Sequence, residues 1–181
     1  MKKCISILLC LALCLSCAAA LAETVTVEKT ELKVNDSLTL RAVIPEGYEV
    51  VDLTDEDGIF YAFGSKDETK PILMLSMGVD DSWPVGTKLN TLSEEELKGI
   101  ENSKFLDIDP DVQISYTETA YGTKLLVATD ADKSAVVFYT LYEGYEIEFL
   151  LTMSNGTALS QEQIDASVKF LSDLDLVFTQ K

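Results

Sequence analysis

The chain has 181 residues, with 31 acidic against 14 basic side chains and no histidine, for a formal net charge of −17. Such acidity repels nucleic acid and anionic surfaces, which excludes nucleic-acid binding as a function. The missing histidine removes Ser-His and Cys-His nucleophile pairs, and with them the imidazole ligands of most zinc and non-haem iron sites.

Residues 1–22 read as an export signal. Lys2 and Lys3 supply a positive start, and residues 5–15 form an apolar run too short to span a membrane comfortably in a mature protein. Ala20-Leu21-Ala22 then matches the small-x-small pattern cleaved before Glu23. The alternative is a lipid anchor at Cys17, the one route by which this reading meets a membrane. A lipoprotein signal carries Leu and a small residue three and two places before its cysteine, where this chain has Cys14 and Leu15. All four cysteines lie in this segment, so residues 23–181 contain no disulfide framework. Cleavage removes Lys2 and Lys3 and no acid, taking the net charge from −17 to −19. Residues 23–181 are long enough for one α+β domain held together by its core alone.

In chain order, residues 38–44 alternate: Leu38, Leu40, Ala42 and Ile44 face one way, as in a half-buried strand. Pro45-Glu46-Gly47 is a turn signal, residues 48–53 a second strand, DEDG at 55–58 a turn, and 59–63 a third strand. Residues 71–79, PILMLSMGV, are almost wholly apolar, which predicts a central strand with both faces covered. A helix is predicted over 93–104, because Ser93 and Glu96 make a capping box inside a Leu92–Leu97 staple. Strands follow at 112–119, 123–129, 134–142 and 145–153. A second helix over 160–173 repeats the device with Ser160 and Gln163, inside a Leu159–Ile164 staple. Residues 174–178 either add an edge strand or end the chain.

Glu143-Gly144 reads as a two-residue hairpin turn. That turn sets Tyr142 opposite Tyr145, Phe138 opposite Phe149 and Val136 opposite Leu151, an apolar face that a helix must cover. The other face then pairs Val137 with Leu150, Tyr139 with Glu148 and Leu141 with Glu146. Together these elements predict a mostly antiparallel sheet of about six to seven strands with two or more helices packed on it, an α+β fold.

AVIPEGY at 42–48, the hairpin segment GTKLLVATD…AVVFYTLYEGYEIEFLLTM at 122–153 and the helix QIDASVKFLSDL at 163–174 resemble the pattern of PsbP-like α/β/α sandwich proteins. The resemblance spans most of the chain after the leader, as an order of element types. It implies a non-enzymatic fold used to bind partners, and no functional residue carries across with it.

DIDPDVQISYTE at 107–118 sets Asp107, Asp109, Asp111 and Glu118 at the first, third, fifth and twelfth positions of an EF-hand loop. Val112 stands where that loop needs glycine, and the segment alternates as a strand from Val112 onward. In a strand Glu118 lies ~23 Å beyond Asp111, outside any coordination sphere. The EF-hand is rejected, which leaves Asp107, Asp109 and Asp111 as the sequence's weak candidates for a simpler calcium site; no other cofactor is implied. For a partner, Tyr139 beside Glu146 and Glu148 offers aromatic and acidic groups suited to a basic protein or cationic ligand. The rival is structural, with the hairpin's tyrosines as packing residues. The expectation is an exported binding module without enzymatic activity. The alternatives are a carboxylate-dependent extracellular hydrolase and a calcium-stabilised binding domain, and no catalytic residue is assigned.

Overall fold

Alternation of apolar residues decides where the chain turns into strand. The computed structural model describes residues 29–33, 38–54, 58–67, 69–79 and 82–178. The leader, the Cys17 alternative and Asp55 to Asp57 of the DEDG turn lie outside the described residues.

The strands are β1 (Thr30–Lys33), β2 (Leu38–Ala42), β3 (Glu49–Asp52), β4 (Ile59–Gly64) and β5 (Ile72–Val79). After helix α1 (Glu94–Glu101) come β6 (Gln113–Glu118), β7 (Lys124–Thr129), β8 (Ala135–Tyr142) and β9 (Tyr145–Thr152). Helix α2 (Gln161–Ser172) and β10 (Asp175–Phe178) close the chain. Seven strands make one antiparallel sheet in the order β3-β4-β5-β9-β8-β7-β6, and β1-β2-β10 make a separate three-stranded sheet. The fold is α+β, as its sequence pattern implies.

Both helix starts are built as the sequence predicts. Glu96 N–H donates to Ser93 Oγ at 3.3 Å while Ser93 N–H donates to Glu96 Oε2 at 2.8 Å. Gln163 N–H donates to Ser160 Oγ at 3.2 Å, and Ser160 N–H donates to Gln163 Oε1 at 2.8 Å. Each cap satisfies backbone donors that have no partner within the helix. The first helix is shorter than the predicted 93–104. Its α-helical bonding stops at Glu101, and Asn102–Leu106 continue as one π-helical turn.

The hairpin register follows the sequence pair by pair: Tyr142 opposes Tyr145, Phe138 opposes Phe149, and Val137 opposes Leu150. Its turn needs positive φ at both positions, met by Glu143 at 54° and Gly144 at 83°. Gly144 is also pressed against backbone: a Cβ there would stand 3.0 Å from the Trp83 carbonyl oxygen.

Two cores form, one on each face of the large sheet. The first holds Phe138, Phe149 and Leu151 against Ile164 and Leu171 of α2 and against Leu38 and Leu40 of the small sheet. Phe138 and Phe149 are fully buried there, each contributing about 1.5–3 kcal/mol of transfer free energy. The second core packs Leu126, Tyr139 and Leu141 under Ile100 of α1, with Leu89 beside them. The two helices therefore lie on opposite faces of one sheet.

One sequence expectation is corrected, and one placement goes beyond what the sequence reading assigned. The 38–44 strand does not join the main sheet. It becomes the middle of the small sheet between β1 and β10, where Leu176 opposes Leu40 across more than a hundred residues of chain. Residues 71–79 do form an interior strand, but only one face is covered. Leu73, Leu75 and Met77 are buried in the first core, while Met74 on the opposite face is 38% exposed. The reason is the reach of α1, which sits over β7 and β8 and leaves β5 uncovered. It is β7 and β8 that have both faces buried, with Leu125 and Phe138 in one core and Leu126 and Tyr139 in the other.

Candidate functional site

On the α1 side of the large sheet, the strand registers align one residue from each strand into a single row. Val51 opposes Ala62, Ala62 opposes Met74, Met74 opposes Leu150, and Leu150 opposes Val137. Val137 opposes Ala128, and Ala128 opposes Ile114. Every residue in this row is apolar. The β6-β7-β8 end belongs to the second core beneath α1. The β3-β4-β5 end is open, with Val51 50% exposed, Leu53 53%, and Phe60 and Met74 38% each. Large apolar side chains scattered singly need no explanation, but a contiguous patch on one sheet face marks an interaction surface.

Along the open half runs a cleft of about 400 Å³, lined by Leu53, Phe60, Met74, Val137 and Leu150. Ser76 and Glu148 are its polar members, and Glu148 is the only carboxylate that lines it among the described residues. Register explains the placement: Glu148 lies between Ser76 on β5 and Tyr139 on β8. Burial pushes its carboxyl above the ordinary 4.5, with the Lys104 charge working against this and the Glu146 charge adding to it.

Glu146, two residues earlier on the same face of β9, is placed differently. Lys104 Nζ donates to its Oε2 at 2.7 Å, and the Tyr139 hydroxyl donates to its Oε1 at 2.9 Å. The π-helical turn after α1 brings Lys104 into this position. It also sets Phe105 edge-on to the Tyr139 ring, with centroids 6.3 Å apart at 81°. The structure thus brings together all three hairpin residues singled out from sequence, in unequal roles. Tyr139 is 0% exposed and held inside the second core. Both oxygens of Glu146 are used within the protein. Glu148 alone faces the cleft.

As chemistry, Glu146 and Glu148 are the adjacent carboxylates of this face. Glu146 is already tied to the Lys104 ammonium and the Tyr139 phenol, whereas burial of Glu148 favours its neutral form or a cation brought to it.

The candidate calcium residues are not assembled. Asp109 Oδ1 accepts the Asp111 N–H at 3.0 Å, a local turn, and Asp107 ends the π-helical turn. Among the described residues no three metal-ligating side chains gather at one point. From Gln113 to Glu118 the segment is strand β6, as the rejection of the EF-hand requires.

Sequence reasoning missed Lys104 and Phe105, whose approach depends on the π-helical turn. It also missed Phe60 and Met74, although the almost wholly apolar run at 71–79 was a signal for Met74. No protein-family model matches the chain. No curated protein matches it. Among the described residues no helix is long and apolar enough to cross a membrane.

Proposed function

We propose that the protein is an exported, non-enzymatic binding module that docks a partner protein on the open half of its large sheet. The partner carries apolar side chains for the row from Val51 to Leu150 and a basic group for Glu148. The observation that carries this reading is the apolar row that runs across all seven strands yet is covered by α1 at one end only. Apolar surface of this kind gains most when a partner removes it from water, roughly 25 cal/mol for each Å² covered.

Glu148 supplies the selectivity. Its carboxylate is costly to hold ionised in the cleft, and a lysine or arginine placed beside it removes that cost. An acidic partner meets both Glu148 and the chain's net charge of −17. The order of elements, helix on each side of an antiparallel sheet, supports a PsbP-like kinship within this proposal. Export by cleavage after Ala22 belongs to it as well, and a native amino terminus at Glu23 is the outcome that fits.

The test titrates the protein with two synthetic peptides at physiological salt, one alternating leucine with lysine and one alternating leucine with glutamate. The basic peptide binds and the acidic one does not. Glu148→Gln weakens the basic peptide about tenfold, the 1.4 kcal/mol of one lost charge contact. Met74→Asp also weakens it. Equal binding by wild type, Glu148→Gln and Met74→Asp would refute the site, since general attraction to an acidic protein needs none of these residues.

A further inference from the structure

The opposite side of the large sheet holds a second cleft, of about 360 Å³, between α2 and the loop joining β4 to β5. Its floor is apolar: Phe63, Leu73 and Leu151 from the sheet, and Ala166 and Phe170 from α2. Phe63 and Phe170 meet edge to face with centroids 5.5 Å apart, which fixes the inner wall. At ~30 Å³ for each water-sized group, the space suits a chain of about ten carbons with a small head.

One cation stands in this lining. Lys70 is carried by the loop, and the backbone is fastened on both sides of it. Gln163 Nε2 donates to the Thr69 carbonyl at 2.9 Å, and the Tyr48 hydroxyl donates to the Pro71 carbonyl at 3.2 Å. The Lys70 N–H itself donates to the Asp67 carbonyl at 3.0 Å. Its ammonium lies 5.6 Å from the Tyr48 ring centroid; among the described residues no carboxylate forms a close ion pair with it, although its charge reaches Asp67 and helps lower that carboxyl. Two acids stand nearby. The Asp67 carboxylate is occupied, accepting both the Thr69 N–H and hydroxyl. Glu162, exposed in the first turn of α2, is the one acid that lines the cleft itself among the described residues.

We propose that this cleft is a small-molecule site for an amphiphile with an apolar tail and a carboxylate head, the tail lying against Phe63 and Phe170 and the head on Lys70. The arrangement is that of ligand sites in general, an apolar concavity with a few fixed polar groups that set orientation. A loop pinned at Thr69 and Pro71 presents its charge without having to be ordered by the ligand, which lowers the cost of binding. The site is separate from the partner surface, since Phe63 and Met74 lie on opposite faces of the sheet.

The experiment uses calorimetric titration with decanoate, decanol and decyltrimethylammonium, all below their aggregation thresholds. Wild type binds decanoate at least tenfold more tightly than decanol, and decyltrimethylammonium weakest of the three. Lys70→Gln brings decanoate down to the level of decanol while its circular dichroism stays that of wild type. Ala166→Phe fills the cleft and abolishes binding of both, and Met74→Asp, on the other face, leaves decanoate binding unchanged. Equal affinities of wild type for decanoate and decanol, a preference for the cationic amphiphile, or no binding of any of the three would overturn the proposal. So would a preference for decanoate that survives Lys70→Gln. Sedimentation with phosphatidylglycerol vesicles that depends on Lys70 would overturn the assignment to a free acid in favour of a membrane lipid.

Discussion

The two halves of one sheet face differ in what lies above them far more than in what they are made of. Leu126, Tyr139 and Leu141 are fully buried beneath α1, whereas Phe60 and Met74 on the same face are more than a third exposed. The apolar row that links the halves passes from Val51 to Ile114 without a polar residue. Periodicity places side chains on a face, but burial requires a second layer, and α1 with its π-helical turn ends too soon to supply one over β5. The acids mark the boundary. Glu146 lies on the covered side with Lys104 and Tyr139 as partners, and Glu148 lies two residues on, in the cleft of the open side.

The largest test of this contrast compares Leu141→Ala with Met74→Ala by urea unfolding. Leu141 has no exposed surface, so its truncation costs about 2–5 kcal/mol, whereas Met74→Ala costs less than about 1 kcal/mol. Equal losses would mean that the open half is covered in solution, by a second copy of the chain or another layer.

Lys104→Ala comes next. It leaves Glu146 with the Tyr139 hydroxyl alone and costs about 1–3 kcal/mol, read in the same unfolding assay. A neutral result would show that water replaces the ammonium freely and that the covered half is looser than its packing implies.

Ser93→Ala removes the cap of the covering helix and costs about 1 kcal/mol. Amide exchange is expected to quicken in α1 and hardly at all in α2, whose own cap at Ser160 is intact. Quickening spread evenly over both helices would join the two cores into one cooperative unit.

The smallest effect belongs to Glu148→Gln, and its sign follows from the raised carboxyl. Folding favours the protonated form of Glu148, so its contribution is neutral below the unfolded value near 4.5 and destabilising above its folded value. The glutamine variant therefore melts slightly higher than wild type at pH 7, and the difference closes as the pH falls below 4.5. A lower melting point at pH 7 would show that Glu148 is a satisfied structural acid, leaving the open half without its charged selector.

Much of this molecule is legible in its sequence, because the signals involved are local. The capping boxes at Ser93 and Ser160 need only residues three apart, and both form as read. The β8–β9 register depends on the two-residue turn at Glu143-Gly144, which fixes every opposed pair up to Val136 and Leu151. That register, together with the alternation of side chains along a strand, is enough to put Tyr139, Glu146 and Glu148 on one face. The same reasoning rejects the EF-hand at 107–118, since Val112 and the alternation after it demand a strand.

What the tertiary structure alone decided are the contacts between segments far apart in the chain. Leu40 finds Leu176, so the first predicted strand leaves the main sheet for a small one. The π-helical turn at Asn102–Leu106 carries Lys104 to Glu146, making a half-buried, paired acid of a residue that looks exposed in the hairpin pattern. The Gln163 side chain, a helix cap by its sequence, also holds the loop that carries Lys70. A sequence specifies faces and turns through steric and hydrogen-bonding preferences of neighbouring residues. Which apolar face is covered, and which acid keeps a cation, depends on where distant segments pack, and those distances are set only when the whole chain has folded.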